Sequence, residues 1–206
     1  MDYVLYGLIG FILLIFLIIL IRTLNFKPIL YPEMKKKYDI DELKVLESLS
    51  QKIKIPTISY LDTKLINKQA FQDFKDHLKS RYPHINKQAT YTEIGTGVLF
   101  KINGLSDEEP TVLMAHFDVV PVEGKWSFDP FSGHTDEKYV YGRGTLDTKS
   151  SLNAVMESVE FSLSQGKTFK NDLYFSFSGE EEIYGDTQHL MVEYFKNHDI
   201  KPYLVL

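Results

Sequence analysis

The sequence predicts a three-layer α/β domain with a mixed sheet, preceded by one transmembrane helix. Three observations predict this architecture. An uncharged apolar run occupies residues 3–21, helical and strand-like periodicities alternate from residue 41 onward, and three short apolar runs each lead into acidic residues or a histidine. After the anchor, the predicted order is helix, helix, two paired strands, two strands, helix, strand, helix and strand. This order is typical of helices packed on both faces of a mixed sheet.

The N-terminal run is close to the length that crosses a bilayer. Residues 3–21 carry no charged side chain, and about 20 apolar residues span a hydrocarbon core. A cleaved signal peptide is the alternative, but the sequence has no basic segment before the run and no small-residue cleavage site near Ile21. We therefore predict an anchor over residues 1–22, a linker over residues 23–40 and a folded domain over residues 41–206.

Composition limits the classes of partner. The chain has 206 residues, a net charge of −5 and 44% apolar residues, which suits one domain, or one and a half, with its own core. There is no long basic stripe in the soluble part, so we expect no nucleic-acid partner. The absence of cysteine excludes disulfides and thiolate metal sites.

The first part of the domain is predicted to be helical and then to form a hairpin. We expect Leu43, Leu46 and Leu49 on the apolar side of the first helix, and Phe74 and Leu78 on that of the second. The predicted elements are a helix over 41–52, an extended segment over 54–59, a helix over 63–82 stopped by Pro83, paired strands over 89–94 and 98–102, and an acidic loop over 103–110.

The run Thr111 to Ala115 is too short for a helix and is predicted to be a buried parallel strand. His116 then lies at its carboxyl end, where open α/β sheets bind their ligands. Side chains alternate along a strand, so His116 and Asp118 point to the same side. This pair suits a metal-binding imidazole held by a carboxylate, and the simpler alternative is a strand-end histidine beside a helix-capping aspartate.

Two further apolar runs lead into carboxylates. Tyr139 to Tyr141 is predicted as a strand, and Asp147 precedes a helix that starts at Ser150 and ends before Gly166, so Asp147 is either a helix cap or a metal ligand. The strand over 173–177 is followed by three glutamates, which are either solvated surface or part of a site. Carboxylates with one imidazole fit Zn²⁺ or another divalent ion, and a further glutamate can accept a proton from water.

These segments together resemble a known family. LMAHFDVVP, the following W-x-x-x-PFSG, YGRGTLDTK and EEE-x-x-G are similar to motifs of the M20 metallopeptidases. The resemblance is closest to the carboxypeptidase S and N-fatty-acyl-amino-acid hydrolase branch, and it extends from about Leu43 to the last residue. It implies the zinc-exopeptidase (phosphorylase/hydrolase-like) version of the three-layer fold. Members of this branch often work outside the cytoplasm or in a lumen, whereas the basic residues after the anchor favour a cytoplasmic domain, so the side of the membrane stays open.

The resemblance implies a role for each of five residues. His116 and Glu182 would each be a ligand of one metal ion, and Asp147 would bridge two ions. Asp118 would orient and polarise the site, and Glu181 would be the general base that moves a proton from water to the leaving amine. Two Zn²⁺ ions are expected, although the same donor types accept Co²⁺ or Mn²⁺.

The last residues, Lys201 to Leu206, are predicted to begin another buried strand. In the family this strand leads to an acidic ligand, and a second domain and a late histidine ligand follow. We therefore expect the N-terminal part of a hydrolase that cleaves a peptide or N-acyl amide bond next to a free carboxylate, inactive by itself. The alternative is a non-catalytic, membrane-tethered remnant. The oligomeric state stays open because the usual second domain is absent.

Overall fold

The computed structural model describes residues 2–28, 38–137 and 139–206. The chain divides into two compact units, Met1–Asp39 and Ile40–Leu206. In the first unit, helix α1 spans Asp2–Leu24. The side chains of its segment Tyr3–Leu24 are exposed, and an 18-residue window of this segment has a mean hydropathy of 3.2. By length and composition, this helix can cross a membrane or serve as a signal sequence. Residues 29–37 of the predicted linker, which include the basic cluster at Lys35, lie outside the described residues.

The second unit is built on a five-stranded mixed sheet with strand order β1-β2-β4-β3-β5. Strand β2 runs antiparallel to both β1 and β4, whereas β3 runs parallel to both β4 and β5. The predicted hairpin is confirmed, since Ala89 pairs with Ile102 and Ile94 with Gly97. The strand bounds are Ala89–Ile94 for β1, Gly97–Ile102 for β2, Ser106–His116 for β3, Asn171–Ser178 for β4 and Leu204–Val205 for β5.

Helices cover both faces of this sheet and complete the predicted three-layer α/β arrangement. On one face, Phe74, Leu78 and Met156 pack against sheet residues that include Phe100 and Phe175. On the other face, the helix that carries Met191 and Phe195 packs on residues such as Leu99. The helix bounds are Glu42–Ile53 for α2, Lys68–Arg81 for α3, Pro83–Gln88 for α4, Ser150–Ser164 for α5 and Thr187–Asn197 for α6.

Most of the predicted strands form where they were expected, but some differ in extent or in burial, and one does not form among the described residues. Strand β3 begins at Ser106, so the loop predicted over residues 103–110 is wrong for its second half. The pairing of β3 with β4 changes register between Ser106 and Thr111, and this irregularity lets Pro110 lie inside the strand. The strand predicted over Tyr139 to Tyr141 is also wrong, because Val140 forms only an isolated bridge with Thr135. Strand β5 is exposed rather than buried.

Helix α2 presents a different face to the core from the predicted one. Leu43 is 78% exposed and Leu46 38% exposed, whereas Leu49, Lys52 and Ile53 are buried. The reason is that polar residues take part in the buried face: Lys52 reaches Asn153 of α5 with a hydrogen bond of 2.9 Å. Apolar spacing alone therefore placed Leu49 correctly but Leu43 and Leu46 wrongly.

The second predicted helix is divided at Asn67. Its side chain accepts hydrogen bonds from the backbone N–H groups of Gln69 and Ala70, and this caps α3, which starts at Lys68. The residues before Asn67 form a separate short turn, Thr63–Leu65. Pro83 does end α3 as predicted, but it also begins α4, where proline is well suited to the first helical position.

Replacing Ile53 with alanine tests the buried face of α2. Ile53 is fully buried, so Ile53→Ala is expected to lower the free energy of unfolding by about 2–4 kcal/mol. The matched change Leu43→Ala, on the exposed side of the same helix, is expected to alter it by less than about 0.5 kcal/mol. Urea denaturation of the chain in detergent, followed by circular dichroism, measures both. Equal losses from the two variants would contradict this helix orientation.

Candidate metal centre

The centre forms where the parallel strands β3 and β4 end side by side. His116 of β3 pairs in register with Ser178 of β4, and the N–H of Phe117 donates to the carbonyl of Ser178 at 2.9 Å. The chain that leaves β4 carries the three glutamates 180–182. The sheet register therefore places the histidine and the glutamates at one edge, as expected of neighbouring parallel strands.

His116 is buried and its two ring nitrogens face different carboxylates. Nδ1 lies 3.1 Å from the backbone oxygen of Asp118 and 3.3 Å from its Oδ1. Nε2 lies 3.0 Å from Oδ1 of Asp147. Burial lowers the pKa of His116, but the hydrogen bonds and charges of Asp118 and Asp147 outweigh it and raise the pKa to about 9. With Nδ1 held by Asp118, Nε2 is the nitrogen available for a metal.

Asp118 is the organising carboxylate of the centre. Its side chain is fully buried and accepts a hydrogen bond of 2.7 Å from the hydroxyl of Ser59. The backbone N–H groups of Glu181 and Glu182 donate to its two oxygens, each at 3.1 Å. Burial raises the pKa of Asp118, but the hydrogen bonds from His116, Ser59 and these amides outweigh it and hold the pKa below its usual value.

Asp147 reaches the centre from the irregular turn Thr145–Lys149. Its side chain is 76% exposed, and its described hydrogen-bond partner is His116. The peptide bond from Asp147 to Thr148 is cis. The alternative in which Asp147 caps α5 is wrong, because Lys149 occupies the cap position and no side chain makes a cap hydrogen bond there. Asp147 is thus directed to His116 rather than to the helix.

Glu182 completes a set of three donors that suits a divalent ion. One donor atom each from His116, Asp147 and Glu182 lies within 4.8 Å of the other two. Burial raises the pKa of Glu182, and the negative charge of Asp147 raises it further, so the carboxylates repel each other. An imidazole with carboxylates is a donor set for Zn²⁺, Co²⁺ or Mn²⁺, and a cation would relieve this repulsion. The residues present therefore fit a metal.

The other two glutamates face different surroundings. Oε2 of Glu181 lies 3.7 Å from Nε2 of His116, and this side chain is 48% exposed, which leaves it within reach of water. Glu180 instead accepts hydrogen bonds from the N–H and the hydroxyl of Thr187, at 2.7 and 2.5 Å, and so holds the start of α6. The solvated-surface alternative for the whole run is therefore wrong, because Glu180 binds Thr187 and the carboxylate of Glu182 lies close to His116 and Asp147.

A groove of about 740 Å³ opens beside the three donors. Asp147 and Glu182 line one part of it. Apolar and aromatic side chains line much of the rest, including Leu49, Val120 and Tyr139. A molecule bound here can place a polar bond at the carboxylates and an apolar group along the groove.

Sequence reasoning missed two residues that support the centre, Ser59 and Lys149. Ser59 carries no signal of its own, because it binds Asp118 from a distant extended segment. Lys149 does carry a signal. It precedes Leu152 by three residues and Met156 by seven, so helical spacing places it on the buried face of α5. It is fully buried, and its Nζ donates to backbone oxygens of residues 52 and 55.

Comparison with known proteins gives a family for this arrangement. Residues 112–206 match the model for "Peptidase family M20/M25/M40". The chain is 32% identical over 171 residues to a "Probable carboxypeptidase S-like 2" of Dictyostelium discoideum, covering 80% of this chain and 33% of that protein. It is 32% identical over 211 residues to the "N-fatty-acyl-amino acid synthase/hydrolase PM20D1" of Xenopus tropicalis, covering 94% of this chain and 41% of that protein.

A solved structure shares the fold. The M20 family metallo-carboxypeptidase Sso-CP2 of Sulfolobus solfataricus superposes with a TM-score of 0.65 at 23% identity, covering 81% of this chain and 37% of that chain. The chain thus spans between about a third and two fifths of the length of these three proteins. On its family match and its curated relatives, the chain is similar to the M20 family of metallopeptidases and to proteins named as carboxypeptidase S-like and as N-fatty-acyl-amino acid synthase/hydrolase.

Proposed function

We propose that this chain contributes His116, Asp147 and Glu182 as ligands of a divalent metal centre that hydrolyses a peptide or N-acyl amide bond next to a free carboxylate. The observation that carries the proposal is the convergence of these three donors from three separate segments of the chain. A buried carboxylate, Asp118, stands behind both the histidine and the glutamates. A chance cluster of surface acids would not have this buried support.

Each residue has a distinct proposed task. His116 offers Nε2 because Asp118 binds its other ring nitrogen. Asp147 has an exposed carboxylate with two oxygens and would hold both proposed ions, and Glu182 would hold the second. Zn²⁺ is the proposed metal, and when bound it supplies Lewis acidity that polarises the scissile carbonyl and activates water. Glu181, exposed and near His116, takes the proton from water and delivers it to the leaving amine.

The proposed substrate class is a peptide or an N-acyl amino acid. Two relatives are named as a carboxypeptidase S-like protein and as an N-fatty-acyl-amino acid synthase/hydrolase, and both names describe amide bonds beside an amino-acid carboxylate. The groove beside Asp147 and Glu182 supports this class, since its apolar lining suits an acyl group or an apolar side chain. Because the chain spans only part of its relatives, turnover is proposed for the protein as a whole.

We also propose that residues 1–22 are a single-pass membrane anchor, that residues 23–40 are a linker, and that residues 41–206 are part of the M20-type catalytic domain. The apolar helix α1 supports the anchor, because its exposed side chains are uncharged from Tyr3 to Ile21. The hydrolase would then act close to a membrane surface. Apolar acyl substrates partition into that surface, which suits the proposed substrate class.

Removal of a ligand tests the metal centre. Asp147→Asn and Glu182→Gln are each expected to weaken Zn²⁺ binding at least about tenfold, because each removes an anionic donor. Glu193→Gln is the matched control: this exposed glutamate of α6 pairs with His189 and is expected to leave Zn²⁺ affinity unchanged. Competition with a chromophoric chelator measures all three. A wild-type chain that does not bind Zn²⁺ would instead favour the non-catalytic, membrane-tethered alternative.

The affinity for Zn²⁺ is expected to rise with pH. The pKa of His116 without metal is about 9, so below that pH the metal must displace a proton from the imidazole. Binding should therefore strengthen by about tenfold per pH unit between pH 6 and 8, with release of a proton detectable in calorimetry buffers of different ionisation enthalpy. His116→Gln should remove this slope. An unchanged slope in that variant would contradict the role of His116.

Glu181 is expected to act in turnover and not in metal binding. In the whole protein, Glu181→Gln should lower the hydrolysis of an N-acyl amino acid by about 10²–10⁴-fold, since it removes the proton acceptor. The affinity for Zn²⁺ should stay within about threefold of the wild type, because Glu181 is not among the three clustered donors. Chromatographic assay of the released amino acid measures the rate. A Gln variant with wild-type turnover would exclude Glu181 as the base.

A further inference from the structure

We propose that Lys149 is a positioning residue that fixes the turn carrying Asp147 against the segment that binds Asp118. It thereby sets the distance between Asp147 and Asp118 in the centre. The inference rests on the proposed function, because it assigns a support for Asp147 as a ligand. It concerns a buried lysine that binds neither the metal nor the substrate.

The contacts of Lys149 cross a long stretch of chain. Its side chain is fully buried, and Nζ donates to the backbone oxygen of Ile55 at 2.8 Å and to that of Lys52 at 3.1 Å. Nζ also lies 5.1 Å from the ring centroid of Phe74. A lysine is rarely buried completely unless its Nζ is satisfied, and here two carbonyls satisfy it. These bonds fasten the end of the turn Thr145–Lys149 to the end of α2.

The segment that accepts these bonds continues directly into the support of Asp118. Thr57 donates from its hydroxyl to the carbonyl of Phe117, and its own carbonyl accepts from the N–H of Val119 at 2.9 Å. Ser59 then donates to Asp118 itself. Residues 52–59 therefore connect the two groups, because Lys149 binds one end of this segment and Asp118 binds the other.

The turn that carries Asp147 is held by few other side-chain hydrogen bonds. Among the described residues, the side chains of this turn that make hydrogen bonds are those of Asp147 and Lys149. Thr145 has a buried hydroxyl without a described partner. The side chain of Asp147 is largely exposed and touches the centre through His116. Loss of the Lys149 bonds would thus leave the position of Asp147 to the backbone and to its contact with His116.

Lys52 provides a matched control within the same region. It is also fully buried, but its Nζ donates to Ser48, Tyr82 and Asn153, none of which contacts the metal donors. Replacing Lys52 with methionine keeps the backbone oxygen that Lys149 uses. Both lysine-to-methionine changes remove a buried amine, so both are expected to lower stability, whereas only Lys149→Met removes the bonds that hold the turn carrying Asp147.

The test compares Co²⁺ binding by the full chain in detergent with the unfolding midpoint of the metal-free chain. Lys149→Met is expected to weaken Co²⁺ binding about 10–100-fold, the range typical of lost support behind a ligand, and to change the visible spectrum of the bound ion. Lys52→Met should lower the unfolding midpoint but keep Co²⁺ affinity and spectrum within about threefold of the wild type. Wild-type Co²⁺ binding by Lys149→Met, or equal loss in both variants, would overturn the inference.

Two further outcomes are distinguishable. If Lys149→Met does not fold, Lys149→Gln is measured instead; its amide can donate to one of the two carbonyls, so a partial loss of affinity is expected and full affinity would overturn the inference. If the wild-type chain does not bind Co²⁺, the proposed function fails, and the inference fails with it. If the wild type binds Co²⁺ and the Lys149 variants bind it with unchanged affinity, only the positioning role is contradicted.

Discussion

The buried carboxylate of Asp118 is the group on which the candidate centre depends. A carboxylate without water needs hydrogen bonds to stay ionised, and Asp118 receives them from Ser59, from His116 and from the amides of Glu181 and Glu182. These partners come from three different segments of the chain. Satisfying one charge therefore fixes the histidine, the glutamate turn and the extended segment relative to one another, before any metal is considered.

The sheet makes this arrangement possible, because β3 and β4 run parallel and end in register. His116 leaves one strand at the level where the glutamates leave the other. Helices on both faces bury these strands, so the edge of the sheet is firm where the donors converge. Asp147 enters from a third direction, on a turn whose buried lysine reaches back to the same extended segment. Rigid elements thus support a cluster whose like charges repel.

Much of this organisation is predictable from sequence, for physical reasons. The strand before His116 and helix α5 have strong apolar periodicity, and the order of motifs predicts both the mixed sheet and the residues that meet at its edge. The failures have more than one cause, and one of them is that polar groups act where hydropathy suggests none. Helix α2 buries Lys52 rather than Leu43, and the run at Tyr139 has strand-like residues but a single bridge. The role of Ser59 depends on a contact across 59 positions of sequence, which local patterns do not carry.

The most direct test of the account is anomalous X-ray diffraction from crystals of the chain grown with Zn²⁺, recorded on either side of the zinc absorption edge. We expect an anomalous peak bonded to Nε2 of His116 and to carboxylate oxygens of Asp147 and Glu182, with Asp118 in contact with Nδ1 of His116. A zinc peak bound elsewhere, with these three side chains pointing away from one another, would contradict it.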